Sequence, residues 1–352
     1  MVRALPLIII LCLTIASRDR ANAAIREAGQ KDSPEKSAQS KPGASANEGT
    51  SLNTGSISPY LIEWYIDVNE NIDLKQIWKL LRIGISNGVS YRCGGNCNAE
   101  TFDISMTDEG QGETIALKVS FEDGDFYQYL IFRIVKIGVS REEWKLIGVI
   151  DSRGKRNAPP VHRVESADNQ SWFVIRELWS QGSGTLAYGD VWYQIGARGV
   201  RPVLSYPVEG HNTTCQKQPW HSYKSILLRY GLDNGIYTVP LQFLVSYELS
   251  DCARANAPRS LFAKGQKAYF VWDAEEGRFI LDKSRSDITE KEINNVYQVA
   301  GPAPEMFVEY NFNELLEMAQ VGGMEQKDWL RKTLRDLPDN LRKSVLQRAV
   351  QQ

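Results

Sequence analysis

The sequence predicts an α+β fold dominated by antiparallel β-sheet, either sandwich-like or built as two helix-on-curved-sheet halves, with a C-terminal helical tail. Three observations carry that expectation. First, nine segments between residues 113 and 282, among them FYQYLIFRIVKI, SWFVIRELW and IYTVPLQFLVSYEL, are dense in aromatic and β-branched residues, which favour extended backbone. Second, the joints carry turn chemistry: Asp123-Gly124, Asn234-Gly235 and Glu276-Gly277, pairs that accept tight or left-handed turns. Third, no strand–helix unit repeats, so the short joints point to hairpins rather than to a parallel sheet.

The chain opens with MVRALPLIIILCLTIASRDRANAA. A positive start, an apolar run from Leu5 to Ile15 and Ala21-Asn22-Ala23 together read as a secretory signal peptide over 1–23. The run is shorter than the ~20 residues that span a bilayer. Residues 24–57 hold no Phe, Trp or Tyr and are rich in Ser, Ala, Lys, Glu, Gly and Asn. They cannot bury enough apolar surface to offset ordering entropy, so a disordered linker is expected. A β-rich globular region follows over 58–309, with 58–158 and 159–309 as two possible halves. The helical tail is expected over 310–352.

Two helices share one start pattern. Asp73 caps DLKQIWKLLRI, with Gln76 three residues on and Ile72 and Ile77 placed as a hydrophobic staple. Thr289 caps TEKEINNVYQV, with Glu292 three residues on and Ile288 and Ile293 placed likewise. Gly84 and Gly301-Pro302 are suitable stops. Between these helices, SWFVIRELW is apolar on both alternating faces, the pattern of a strand covered on both sides. TLAYGDVWYQI holds Gly189-Asp190 in mid-run and reads as bulged or split.

YLIFRIVKIGVSREEWKLIGVIDSRG and AYFVWDAEEGRFILDKSRSD echo one another: strand, acidic turn, aromatic, strand, then Asp and Ser-Arg. Both resemble the closing hairpin of a helix-on-curved-sheet module of the cystatin or nuclear-transport-factor type. The resemblance implies one such module in each half.

In the tail, NFNELLEMAQVGG ends at Gly322-Gly323, and two further helical segments are divided by Pro338. Leu330, Leu334, Leu337, Leu341 and Val345 form a stripe at helical spacing. The stripe suits docking on the chain's own domain, pairing of the two helices, or recognition of a partner.

Charge excludes some functions. The chain carries 41 basic and 43 acidic residues, and loss of 1–23 removes Arg3, Arg18, Arg20 and Asp19, moving the net charge from −2 to −4. Such a chain offers no general attraction to nucleic acid. Contact with a membrane is expected only transiently, through the signal peptide. The same cleavage removes Cys12 and leaves Cys93, Cys97, Cys215 and Cys252. An even count in an exported chain reads as disulfides, here Cys93–Cys97 across a Gly-Gly-Asn turn and Cys215–Cys252.

No catalytic residue, metal ligand set or cofactor motif is expected. QGSGT at 181–185 lacks both a nucleophile elbow and a phosphate-loop lysine, and reads as a hairpin turn. His162, His211 and His221 lack metal-binding spacing, although Glu209 and His211 share a strand face. The aromatic centre of the chain is its richest feature. Trp179, Trp192, Tyr193 and Tyr206, with His211, are the candidate binding residues for a protein or glycan partner; buried, the aromatics are core. The expected function is an exported, secreted or periplasmic binding or scaffolding protein without catalysis. The alternative is an envelope hydrolase assembled from distant loops around His211 and His221.

Overall fold

The structure is a computed structural model and describes residues 56–62, 77, 80–81, 98–104, 113–121, 125–139, 141–155, 157–168, 170–196, 199–214, 219–249, 259–297 and 301–351. The expected signal peptide, the expected linker as far as residue 55, the Asp73 cap, Gly84, the Asp123-Gly124 turn and Cys93, Cys97, Cys215 and Cys252 lie outside the described residues. Ser56–Ile57 form a short strand, β1, paired with Lys145 and Trp144.

Among the described residues, fourteen strands fall into two antiparallel sheets. The first sheet contains β1, β2 (Asn98–Asp103), β3 (Thr114–Ser120), β4 (Phe126–Ile137) and β5 (Arg141–Arg153), in the order β1-β5-β4-β3-β2. The second contains β6 (Val161–Ala167), β7 (Gln170–Gly182), β8 (Thr185–Gly196), β9 (Gly199–Asn212), β10 (Trp220–Leu227), β12 (Ile236–Leu249), β13 (Arg259–Asp273) and β14 (Arg278–Leu281) as a meander, with the short β11 (Gly231–Asp233) on β12. Five helices follow among the described residues: α1 (Glu290–Val296), α2 (Pro304–Tyr310), α3 (Phe312–Val321), α4 (Met324–Arg335) and α5 (Leu341–Gln351).

Local chemistry explains the elements. Asn234 and Gly235 both adopt positive φ, 52° and 79°, in the β11–β12 turn, the conformation an Asn-Gly hairpin requires. Asp273 caps the β13–β14 turn by accepting from the Glu275 and Glu276 amides, and Gly277 completes it at φ 63°. The Thr289 hydroxyl accepts from the Glu292 amide and starts α1, with Ile288 and Ile293 buried as a staple. The QGSGT segment is the β7–β8 turn, with Gly184 at φ 77°.

The layers are read from three apolar clusters. Ile62, Ile77 and Leu81, all in helical backbone, pack on Leu117, Leu130, Phe132 and Leu146 of the first sheet. The opposite face of that sheet, with Tyr129, Ile131 and Ile150, meets Phe173, Ile175, Val191 and Tyr193 of the second. The far face of the second sheet, from Trp172 and Val174 to Val245 and Tyr247, receives helices α1–α5. The order is therefore helix, sheet, sheet, helix, and β7 is covered on both faces.

Among the described residues, the first sheet covers the β6–β9 part of the second. The second sheet also curls. Its β6–β7 turn reaches the β11–β12 hairpin, where the Asp168 carboxylate accepts from the Leu232 amide at 3.1 Å and the Asp168 carbonyl accepts from the Tyr237 hydroxyl at 2.6 Å. Phe279 of β14 packs on Trp172 and Trp192, with ring centroids 5.6 and 6.2 Å apart. The inner face of this curl is thus a nearly closed aromatic core.

The C-terminal segment is helical, and it packs on the sheet. Residue 310 ends α2, and Leu315, Met318, Leu330, Leu334, Leu346 and Val350 share one buried cluster with Val245 and Tyr247. Lys264 of β13 fastens the layer, donating to Glu292 of α1 at 2.9 Å and to the Tyr310 carbonyl at 2.5 Å. The stripe also changes phase. Leu330, Leu334 and Leu337 are buried, Leu341 is 78% exposed, and Leu346 and Val350 take over. Pro338 ends the first helical run, so α5 starts with its own rotation.

Candidate functional site

The β8 bulge builds the most polar site in the curl. Register shifts at Tyr188/Gly189, and the Trp179 ring lies so close to Gly189 that a Cβ there would sit 2.0 Å from it. Gly189 is therefore required by close approach. Asp190 follows on the inner face and is fully buried. Its carboxylate accepts from Arg163 Nη2 at 2.7 Å, from Arg176 Nε and Nη2 at 2.8 and 3.3 Å, and from the Tyr206 hydroxyl at 3.3 Å. Arg176, Asp190 and Tyr206 are direct cross-strand neighbours on β7, β8 and β9. Arg163 Nε continues to Glu165 at 2.5 Å, and the Tyr230 hydroxyl donates to the same carboxylate at 2.7 Å. Burial works against the Arg163 cation, but Asp190 and Glu165 outweigh it and raise its pKa. The hydrogen bonds to Asp190 raise that of Arg176. Burial and Glu165 push Tyr230 up to about 12.

A second polar cluster lies between the sheets. His162 stacks on Phe102 with centroids 3.8 Å apart and meets Tyr129 edge-on at 5.9 Å. Burial, then Lys118, lower the His162 pKa, with Glu100 opposing. Glu177 accepts from the Ser152 hydroxyl at 2.9 Å, and burial raises its pKa despite that bond. The two groups give opposite pH limbs. His162 binds protons less readily folded than unfolded, so its contribution is complete above its ordinary pKa and lost as pH falls through the lowered one. Glu177 contributes below its ordinary pKa and loses that contribution as pH rises through the raised one. Urea midpoints across acid to neutral pH are expected to fall more gently on the acid side in His162→Phe. Glu177→Gln should gain on wild type as pH rises. Parallel curves for all three proteins would refute both assignments.

The third site is open. Ser222 and Lys224 of β10, Leu244 and Ser246 of β12, and Ala263 and Gly265 of β13 line a shallow trough of about 390 Å³ on the outer face of the second sheet, beyond the cover of the first. Ser222 and Ser246 hydroxyls lie 2.8 Å apart. The intervening Tyr223 and Val245 point into the core below.

The candidate binding residues separate on this frame. Trp192, Tyr193 and Tyr206 are buried, at 0, 7 and 2% exposure, so the reading of them as an accessible binding surface is corrected. Their strands are covered by a sheet on one side and by the curl and its helices on the other. Trp179 is half-buried over Gly189, and His211 is half-buried on the outer face, opposite Ser222. His221 pairs with Asn212 and so occupies the inner face, its ring against Gly301. His211 and His221 thus lie on opposite sides of one sheet and cannot serve one reacting atom. Sequence reasoning missed Asp190, Arg163 and Arg176. The mid-strand Gly-Asp was the available signal, since an unpaired Asp there would be costly.

Among the described residues, no group of three His, Cys, Asp or Glu is placed to hold a metal ion, and no helix is long and apolar enough to cross a membrane. No family model, curated protein or solved structure matches the chain.

Proposed function

We propose that the chain is an exported, non-catalytic binding protein, and that the trough across β10, β12 and β13 receives an extended polypeptide segment of a partner. The trough carries this reading. It is an open concavity on a sheet face that no layer of the described residues covers, floored by Ser222, Ser246, Ala263 and Gly265. Small side chains let another backbone approach closely. Among the described residues its lining holds one aromatic, Tyr223, which turns into the core, and this favours a peptide over a glycan. Export is supported by the leader sequence, and an oxidised state by the even cysteine count.

The test uses exported full-length material. Its mass should begin near Ala24 and rise by four hydrogens on reduction, reporting two disulfides. Peptides selected on the wild type from a displayed library should lose binding to Ser246→Trp and Gly265→Trp, which fill the trough from solvent, and be recovered uncleaved. Selected peptides that bind both variants undiminished would rule the trough out. Peptide cleavage would revive an enzyme.

A further inference from the structure

The Asp190 network raises a question that packing does not answer. Four charged groups sit together on the inner face of an aromatic core. Networks of this kind return little net stability, because desolvation consumes most of the Coulomb gain. Apolar residues of similar volume would fill the space as well. A retained charge network is therefore expected where a fixed arrangement of donors matters.

The arrangement is specific. A guanidinium has five N–H donors and no acceptor. Arg163 directs Nε to Glu165 and Nη2 to Asp190, and Arg176 directs Nε and Nη2 to Asp190. Each arginine keeps further donors. The Asp190 side chain is 1% exposed, while Arg163 and Arg176 remain 30 and 38% exposed. One buried carboxylate thus holds two cations, and both arginine side chains stay partly open to solvent. Beside them, Tyr230 stands edge-on to Trp172 and Trp192, with centroids 6.5 and 5.7 Å apart.

We propose that Arg163 and Arg176 form an anion seat for a small molecule bearing a carboxylate or phosphate group. Planar forked donors match such oxyanions in two-point contact. Asp190 holds both forks in place before the ligand arrives, which removes the cost of ordering two long side chains. Glu165 is the opposing charge. Its oxygens are taken by Arg163 and Tyr230, so it limits affinity without blocking the forks. The seat lies on the inner face of the sheet, and the trough lies on the outer face.

The experiment titrates inorganic phosphate and, separately, benzoate into full-length protein at low ionic strength, read by calorimetry and by tryptophan fluorescence. Saturable binding is expected. Benzoate binding more tightly than phosphate would place an aromatic body against Tyr230; the reverse order would assign the seat to phosphate esters. Arg176→Lys keeps the charge and loses the fork, and should weaken either ligand on the order of tenfold, the loss of a charge-assisted hydrogen bond. Glu165→Gln removes the opposing charge and should tighten binding at least severalfold, which keeps the test decisive if the lysine variant does not fold. Gly265→Trp in the trough should leave anion binding unchanged. The proposal is overturned if neither anion saturates below about 10 mM, the loose end of specific affinity, or if Glu165→Gln binds no tighter than wild type.

Discussion

Removal of residues 311–352 is expected to leave a molten or insoluble chain. The deletion takes Leu315, Met318, Ala319, Leu330, Leu334, Leu337, Leu346 and Val350, all at most 7% exposed, out of the cluster that contains Val245, Tyr247 and Phe307. Truncating one buried leucine to alanine costs about 2–5 kcal/mol. Losing this whole set exceeds the ~5–15 kcal/mol that stabilises a typical domain. It also uncovers Phe307 and Trp329's packing partners on α2, and strips the Lys264 anchor of the chain that follows Tyr310. The measurement is near-ultraviolet circular dichroism with dye binding to exposed apolar surface. A truncated chain that stays soluble, keeps its aromatic signal and melts cooperatively a few degrees lower would show the helices to be an appendage. A milder companion is Leu330→Ala, expected to cost about 2–5 kcal/mol without loss of fold.

Asp190→Ala is expected to cost about 3–5 kcal/mol, the range for breaking a buried ion pair on one side. The physical cause is the stranded partners. Arg163 and Arg176 would keep their charge in a site whose only fully buried anion is gone, and Tyr206 would lose its acceptor. Replacing all three, Arg163→Met with Arg176→Met and Asp190→Leu, removes the stranded charges and is expected to recover most of that loss. Urea unfolding of the single and triple variants decides the matter. If the single variant were as stable as wild type, Asp190 would contribute neither to stability nor to holding the two arginines, and the anion seat would lose its support. If the triple variant were no better than the single, the network would be structural in its own right.

Much of the fold is legible locally. The β4 and β12 segments coincide with FYQYLIFRIVKI and IYTVPLQFLVSYEL, because their aromatic and β-branched density is bounded by turn residues on both sides. The Thr289 start was readable from residue type and spacing, since a hydroxyl three residues before Glu292 satisfies an otherwise unpaired amide. β9 was not readable. Pro202 and Pro207 interrupt it, and proline lacks the ladder donor. The structure accommodates them at two register shifts, opposite Tyr193 and Gly189. One of those shifts also places Asp190, so the segment that local rules discard is the one that builds the polar site.

By itself, the sequence determined the sheet-dominated class, most strand and turn positions, the doubly covered character of β7 and the breaks at Gly322-Gly323 and Pro338. These depend on backbone preferences and on the period of apolar residues, both of which act within a few positions. Only the tertiary structure decided which faces are covered. Alternation assigns Trp192 and Tyr193 to opposite faces of β8, but it does not say that a second sheet lies on one and the curled wall with Phe279 on the other. Nor does it say that His211 and His221 are separated by the sheet, or that Arg163 meets Asp190 across 27 residues of chain. Burial and charge pairing arise from surfaces brought together over long sequence separation, and no local pattern encodes their partners.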